Sequence, residues 1–386
     1  MSQLLENYII TRQLTESYCH PLTTEDFIPQ VEVFASPPLW HLAHTTWFFE
    51  EMILKPFVSN YCEFNPLFGF LFNSYYESKG ARQPRHRRGA ITRPGVEEVY
   101  QYRMAVDIAI KKILTSQNKV SNHVKNLITL GINHEQQHQE LLLTDLKLAL
   151  SYNPLLPTYN ANWCPQTPQE KQLTGWQNID EGVFLIGYEG DGFYFDNELN
   201  RHKTYIQNTQ IRRNLVSNIE YLEFMSDGGY NNPHLWHSDG WDWVQQNRAN
   251  SPMYWQRSDD TWQEYTLKGL QPIEKNSPVS HINYYEASAF TSWCGYRLPT
   301  EFEWEVASTQ LNWGQRWEWT QSAYLPYPGF NISDGAVGEY NGKFMINQMV
   351  LRGASIFTSP NHSRHTYRNF FHPQTQWQMT GIRLAR

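Results

Sequence analysis

Apolar residues recur at spacings of three and four positions in the first part of the chain, most clearly over residues 97–114 and 120–150. This spacing is typical of amphipathic helices. One stripe of the second segment consists of Leu127, Gly131, His134, His138, Leu141 and Leu142. Such a stripe faces the core when helices pack into a bundle. The helix is expected to end near Pro154, because proline cannot continue a helix. The pattern therefore predicts a helical bundle over residues 1–155.

Residues 176–386 carry a different pattern, with loops rich in glycine and tryptophan and short extended runs at 182–187 and 204–212. Three short helices are predicted by capping boxes, in which an acceptor precedes a carboxylate by three positions. These pairs are Ser217 with Glu220, Asn283 with Glu286, and Thr300 with Glu303. The intervening residues 156–175 contain Pro157, Pro165 and Pro168 and are interpreted as a linker. The fold class predicted is α+β with two domains.

Composition narrows the possible functions. Hydrophobic residues make up 40% of the 386-residue chain and charged residues 18%, which favours packed cores over disorder. The net charge of -7 argues against nucleic-acid binding, which needs a cationic surface. We expect no secretory signal and no membrane span, since no sufficiently long apolar run is present. The 4 cysteines show no CxxC spacing, so a cytoplasmic location is expected. No pattern in the sequence specifies an oligomeric state.

A candidate metal site is carried by His134-Glu135-Gln136-Gln137-His138, because histidines at i and i+4 lie one helical turn apart and point the same way. A pair of surface histidines is the plain alternative, but both positions fall on the core-facing stripe. Residues 40–47 offer a third ligand. His44 shares a face with Trp40 and Trp47 and is preferred over His41, which lies about 60° off that face on a helix of 3.6 residues per turn.

The same five residues match the HExxH pattern of zinc metallopeptidases, in which the glutamate is the general base. No third ligand follows at the spacing found in metzincin peptidases. A peptidase of the gluzincin class could instead use a more distant glutamate as the third ligand. Imidazole ligands suit zinc, iron and copper alike, so the ligand type leaves the metal open.

Motifs in both parts of the chain resemble those of known protein families. Leu42-Ala43-His44, followed by the HEQQH segment, resembles the DinB-like four-helix bundle of the iron-dependent sulfoxide synthases of ergothioneine biosynthesis. Segments 295–305, 351–355 and 380–385 resemble the formylglycine-generating-enzyme (sulfatase-modifying-factor) domain, which has a C-type-lectin-like fold. The resemblance covers nearly the whole chain. It implies that His44, His134 and His138 bind Fe(II), and that O2 and a thiol react with hercynine (N-α-trimethylhistidine).

The resemblance also implies roles for other residues. Tyr75 and Tyr76 are candidates for the catalytic phenol, with Tyr76 preferred, although another branch of the family places this tyrosine in the C-terminal domain. The substrate-binding candidates are Gln137, Arg85, Arg88, Asn369, Phe370 and Phe371. Gln137 would contact hercynine, and the two arginines would clamp the carboxylate of the sulfur donor. The two phenylalanines suit a trimethylammonium group through cation–π attraction, with lectin-fold core packing as the plain alternative.

Three other functions stay open. A selenoneine synthase would share both domains and use a selenosugar donor, a zinc metallopeptidase would use HExxH, and a non-catalytic lectin-like module would only bind a partner. Some family members carry an aspartate where Phe371 aligns, and its absence favours cysteine over γ-glutamylcysteine as donor. Sulfatase maturation is disfavoured, because residues 351–371 contain no cysteine. Small-molecule substrates are therefore expected, with neither nucleic acid nor membrane as a partner.

Overall fold

The computed structural model describes residues 2–74, 76, 80–116, 120–164, 173–259, 261–332 and 341–386. These residues form two compact units that divide between Ala161 and Asn162, within the segment interpreted above as a linker. Residues 165–172 of that segment lie outside the described residues.

The first unit is helical. Its helices, among the described residues, are α1 (Gln3–Cys19), α2 (Pro38–Phe49), α3 (Lys55–Phe57), α4 (Phe68–Leu71), α5 (Val96–Thr115) and α6 (Asn122–Ser151). The long helices α1, α2, α5 and α6 pack as a bundle, with α2 against both α5 and α6, and α1 against α6. A π-helical turn over Glu50–Leu54 joins α2 to α3.

Local sequence explains where the long helices begin. Ser2 and Ser121 occupy the positions before α1 and α6, where each hydroxyl accepts a hydrogen bond from the backbone N–H three residues on. Helix α2 begins with Pro38, whose fixed φ suits a first helical position. Helix α6 ends at Ser151, shortly before Pro154, so the predicted end is close to the observed one.

Helices α2 and α6 approach closely at Gly131. A Cβ at this position would lie only 2.5 Å from a ring carbon of Phe49, which is shorter than a side-chain contact allows. Every residue of α2 is buried. The close approach therefore presses the fully buried helix α2 against the turn of α6 that precedes His134.

The second unit mixes short helices with small sheets. Its helices are α7 (Asn218–Ser226), α8 (Ser238–Asn247), α9 (Tyr284–Trp293) and α10 (Glu301–Ala307). Its strands are β1 (Trp176–Ile179), β2 (Gly182–Ile186), β3 (His202–Ile206), β4 (Thr209–Arg212), β5 (Trp255–Ser258), β6 (Thr261–Thr266), β7 (Gly269–Pro272), β8 (Trp317–Ala323), β9 (Met349–Gly353), β10 (Asn369–Phe371) and β11 (Thr380–Gly381). The largest sheet has the order β10-β9-β8-β11, with β11 parallel to β8 and the other pairs antiparallel. Antiparallel sheets β1-β4, β2-β3 and β5-β6-β7 accompany it.

The three capping boxes predicted from sequence are present at the starts of α7, α9 and α10. The predicted extended run at 204–212 is wrong in one respect, because the chain turns at residues 207–208 and forms two strands, β3 and β4, in different sheets. Buried ion pairs fix this unit internally: the Arg368 guanidinium donates to both carboxylate oxygens of Glu301, at 2.8 and 3.0 Å. The predicted α+β class, with a helical N-terminal part, is confirmed. No helix among the described residues is both long and apolar enough to cross a bilayer.

Candidate metal centre

Three histidine side chains converge inside the bundle. The ligand nitrogens of His44, His134 and His138 all lie within 4.8 Å of one another. Helix α2 supplies His44, while α6 supplies the other two from successive turns. The convergence predicted from the sequence is thus present in the structure, with His44 and His134 buried and His138 half-buried.

The orientation of His44 points to a missing partner. Its Nδ1 donates a hydrogen bond to the Phe72 carbonyl oxygen at 2.7 Å. Its Nε2 is buried and has no hydrogen-bond partner among the residues that the structure describes. A buried polar atom left in this way is costly unless something binds it. A metal ion held by three imidazoles would satisfy this nitrogen, so the residues present fit such an ion.

Aromatic rings hold the His44 imidazole in place. It stacks on Trp40 at 4.3 Å between ring centroids and on Trp47 at 5.4 Å. The Arg88 guanidinium lies 3.3 Å from the centroid of Trp40 and donates hydrogen bonds to the hydroxyls of Ser36 and Ser74. The ring orientation of His44 is therefore set by packing before any metal arrives.

Electrostatics keeps these imidazoles neutral. Burial lowers the pKa of His134 to about 3. Burial, reinforced by neighbouring histidines, holds the pKa of His44 and His138 well below the usual range. A neutral imidazole has a free lone pair, which is the form that binds metal ions. The cluster therefore offers three lone pairs at neutral pH.

Glu135 is turned away from this function. Its carboxylate accepts hydrogen bonds from Arg12 (2.9 Å), Arg103 (2.5 Å) and Thr15 (2.6 Å). Burial alone would raise its pKa, but the two guanidinium groups and Thr15 outweigh burial and lower the pKa to about 2. A carboxylate committed to two buried arginines is a poor general base. The arrangement therefore disfavours the metallopeptidase interpretation of HEQQH.

One tyrosine candidate, Tyr76, packs against an aromatic residue that holds His44. Tyr76 is 1% exposed, and its ring centroid is 5.5 Å from that of Trp47, which itself stacks on His44. Asn73 fixes the tyrosine backbone, because its side chain donates to the Tyr76 carbonyl and accepts from the Tyr76 N–H. Tyr75 lies outside the described residues.

The predicted substrate-binding residues of the first unit differ in exposure. Gln137 is half-buried on α6, next to His138. Arg85 is exposed, whereas Arg88 is 4% exposed and engaged with Trp40 as described above. Arg85 is thus free to reach a ligand from the surface, while Arg88 already orders the wall of the histidine cluster.

The remaining candidates lie on β10 in the second unit. The Phe370 ring stacks on Tyr324 at 4.1 Å, which commits one of its faces to packing. Phe371 is half-buried and meets Trp377 edge to face at 6.0 Å. The side chain of Asn369 accepts a hydrogen bond from the next backbone N–H. Of the two rings, Phe371 has the greater scope to contact a ligand.

Two polar residues next to the cluster were not selected from the sequence. His41 Nδ1 lies 2.9 Å from His138 Nδ1, and His41 Nε2 lies 3.1 Å from Asp145 Oδ2. His41 was set aside because it lies off the apolar stripe of α2, but that helix is buried on all sides. A signal for Asp145 was available, since it follows His138 by two helical turns and so shares its face.

Comparison with known proteins adds independent information. Residues 164–314 match the family model of the sulfatase-modifying factor enzyme 1-like domain. The hercynine oxygenase of Mycolicibacterium smegmatis is 29% identical over 309 residues, covering 66% of this chain and 70% of that protein. The hercynine oxygenase of Mycobacterium tuberculosis is 28% identical, covering 67% and 71%.

The chain is similar to the hercynine oxygenases. The formylglycine-generating enzyme of Thermomonospora curvata is also similar, at 27% identity over 233 residues, 52% of this chain and 73% of that protein. The hercynine oxygenase matches extend over more of this chain than that match does. The resemblance inferred from the sequence motifs is therefore confirmed.

Proposed function

We propose that this protein is a non-haem iron(II), O2-dependent sulfoxide synthase of ergothioneine biosynthesis, which joins a thiol sulfur to the imidazole carbon of hercynine. The observation that carries the proposal is the cluster of three imidazoles, two of them buried, with ligand nitrogens within 4.8 Å of one another. Its similarity to hercynine oxygenases supplies the substrate class. The atoms balance: the C–H and S–H hydrogens leave as water with one oxygen atom, and the other oxygen forms the sulfoxide.

His44, His134 and His138 would hold the iron. Iron(II), when bound, supplies O2 activation and further coordination positions for the substrates. The ligand set is neutral, so it leaves the full positive charge of the metal available to an anionic thiolate. The protein contributes a fixed geometry, because His44 is stacked between Trp40 and Trp47. Holding both reactants at one centre converts a difficult encounter into an intramolecular reaction.

Gln137 and Arg85 are proposed to bind the substrates of this centre. Gln137 adjoins His138 and lies three positions after His134, so it is a neighbour of His134 on the surface of α6. It would hydrogen-bond hercynine. Arg85 is exposed and carries a guanidinium fork that matches a carboxylate, so it would bind the sulfur donor. Arg88 would contribute to the same clamp while ordering Trp40.

Tyr76 is proposed as the phenol that gives a proton or hydrogen atom during C–S bond formation. Its support is the contact with Trp47, together with the Asn73 hydrogen bonds that fix its backbone. Tyr75 remains the alternative proposed from the sequence. Transfer from a phenol at the correct moment would favour C–S bond formation over simple oxidation of the thiol.

The donor is proposed to be cysteine or γ-glutamylcysteine, with cysteine preferred because a phenylalanine occupies position 371. Phe371 and Phe370 are proposed to contact the trimethylammonium group of hercynine, and Asn369 to bind a polar substrate group. A cation and an aromatic face attract each other without any hydrogen bond, which suits a trimethylammonium group.

The decisive experiment is an incubation of purified protein with Fe(II), O2, hercynine and a panel of thiols, followed by mass spectrometry. We expect a product that carries the thiol and one oxygen atom on the imidazole, and about one iron per chain, as a mononuclear site requires. The variant His138→Ala should lose iron binding and turnover together. A protein that leaves hercynine unchanged with every sulfur and selenium donor would contradict the proposal; product only with a selenosugar would redirect it to selenoneine synthesis.

A further inference from the structure

A chain of side chains leads away from the histidine cluster, from the half-buried His138 through His41 to Asp145. His41 is 2% exposed and lies between His138 and Asp145, which is 4% exposed. The His41 ring nitrogens are 2.9 Å from His138 Nδ1 and 3.1 Å from Asp145 Oδ2. The Ser36 backbone N–H also donates to Asp145 Oδ2, at 2.8 Å, which fixes the carboxylate.

The positions of the protons in this chain follow from hydrogen-bond polarity. An ionised carboxylate can only accept, so the Nε2 of His41 must carry its proton and donate it to Asp145. A neutral imidazole with a proton on Nε2 has a lone pair on Nδ1. The His41 Nδ1 must therefore accept, and the His138 Nδ1 must donate.

This assignment decides which nitrogen of His138 is available. With its proton on Nδ1, His138 has its lone pair on Nε2, the nitrogen on the far side of the ring from His41. The reverse arrangement would place a proton on Nε2 of His138 and leave no lone pair there. Only the first arrangement lets His138 act as a metal ligand through Nε2.

The tautomers of His44, on α2, and of His138, on α6, are fixed in different ways. His44 donates its Nδ1 proton to the backbone carbonyl of Phe72, which can only accept and so fixes the tautomer by itself. The His41 imidazole can either donate or accept. It therefore fixes the tautomer of His138 only if another group determines which His41 nitrogen carries the proton. Asp145 is that group, and its N–H contact with Ser36 keeps the oxygen in position.

We propose that His41 and Asp145 are positioning residues that fix His138 in the tautomer whose Nε2 lone pair is available to a metal ion. The inference rests on the metal site proposed above and extends it by one layer of residues. Partners of this kind orient metal ligands in many proteins, and their loss costs about 10- to 100-fold in metal affinity.

Matched variants separate this role from packing. His41→Leu and Asp145→Ala remove the acceptor in each link, whereas His41→Asn and Asp145→Asn keep an oxygen acceptor near the same position. Titration of the apoprotein with Fe(II) under anaerobic conditions should show affinity about 10- to 100-fold weaker for the first pair and largely restored for the second. Val106→Ala, a cavity variant on α5, controls for general destabilisation and should bind iron as the wild type does.

A second measurement needs no variant and no metal. Nitrogen NMR of the histidine-labelled apoprotein at neutral pH should show His138 protonated on Nδ1 and His41 on Nε2. The opposite tautomer of His138 would overturn the inference, as would wild-type iron affinity in both His41→Leu and Asp145→Ala. If iron affinity is weakened equally in His41→Leu and His41→Asn, the role of His41 is one of packing, and the inference is also overturned. Failure of the wild type itself to bind iron would instead defeat the proposed function.

Discussion

Replacing Glu135 with glutamine distinguishes the oxygenase proposal from the HExxH peptidase alternative. In a peptidase the glutamate acts as the base, so the substitution abolishes activity and leaves the fold intact. In this structure the carboxylate instead joins Arg12 and Arg103, which are both buried. Glu135→Gln is therefore expected to destabilise the bundle while the folded fraction still binds metal.

The magnitude follows from the pKa of this carboxyl. Its fall from the ordinary value of 4.5 to about 2 corresponds to about 3 kcal/mol, at about 1.4 kcal/mol per unit. Removing one partner of a buried ion pair typically costs about 3–5 kcal/mol. The lower end applies, because Arg12 keeps Asp107 and Arg103 keeps Glu16 as partners.

The pH dependence has a definite sign. The folded-state pKa of Glu135 is lowered, so its stabilising contribution is present above about 4.5 and is lost as the pH falls towards about 2. The difference between wild type and Glu135→Gln should therefore be about 3 kcal/mol at pH 7 and about 1 kcal/mol smaller at pH 4.

Urea unfolding followed by far-ultraviolet circular dichroism measures this difference. Glu16→Gln is the matched control, since Glu16 contacts the same Arg103 but its side chain is 35% exposed, and it should cost no more than about 1 kcal/mol. If Glu135→Gln keeps wild-type stability but loses a peptide-hydrolysing activity that the wild type has, the reasoning is refuted and the peptidase alternative is revived.

Three further predictions concern other titratable groups. Tyr76→Phe should divert the reaction from C–S bond formation towards oxidation of the thiol alone, measured as the product ratio by mass spectrometry; an unchanged ratio would remove Tyr76 from the catalytic residues. Burial raises the pKa of Glu286 to about 7, so its contribution to stability is present below about 4.5 and lost as the pH rises through 7. Relative to that of the wild type, the free energy of unfolding of Glu286→Gln should therefore rise by about 3 kcal/mol between pH 4.5 and 8. Glu220, whose pKa is lowered because hydrogen bonds from Arg212 and Ser217 outweigh burial, serves as the opposite case: Glu220→Gln should lose stability relative to wild type as the pH rises from acid to neutral.

The features that could be read from the sequence are local ones. The i and i+4 spacing of His134 and His138 puts both rings on one side of α6 whatever the rest of the chain does. The capping boxes are equally local, and all three are present. The break of 204–212 into two strands was missed, because the residues on either side of the turn have the same extended pattern.

The features that could not be read depend on tertiary packing. The interpretation of His41 assumed that α2 has an apolar and a polar side, but each of its residues is buried. A polar side chain in such a helix must find an internal partner, and for His41 that partner is on α6. The partners of Glu135 are similarly distant along the chain, since Arg12 comes from α1 and Arg103 from α5. No spacing rule within one segment reveals these pairs.

Both sides of α6 between His134 and Gln139 make buried contacts, and this links the stability of the bundle to the geometry of the centre. Neighbouring residues on a helix point in different directions, so His134 and His138 face the cluster while Glu135 and Gln139 face α1. Glu135 accepts from Arg12 and Thr15, and Gln139 donates to the Thr11 carbonyl and to Thr15. These contacts fix the rotation of α6 about its own axis. Since a small rotation would move both imidazoles away from His44, the buried polar contacts on one side hold the ligands in register on the other.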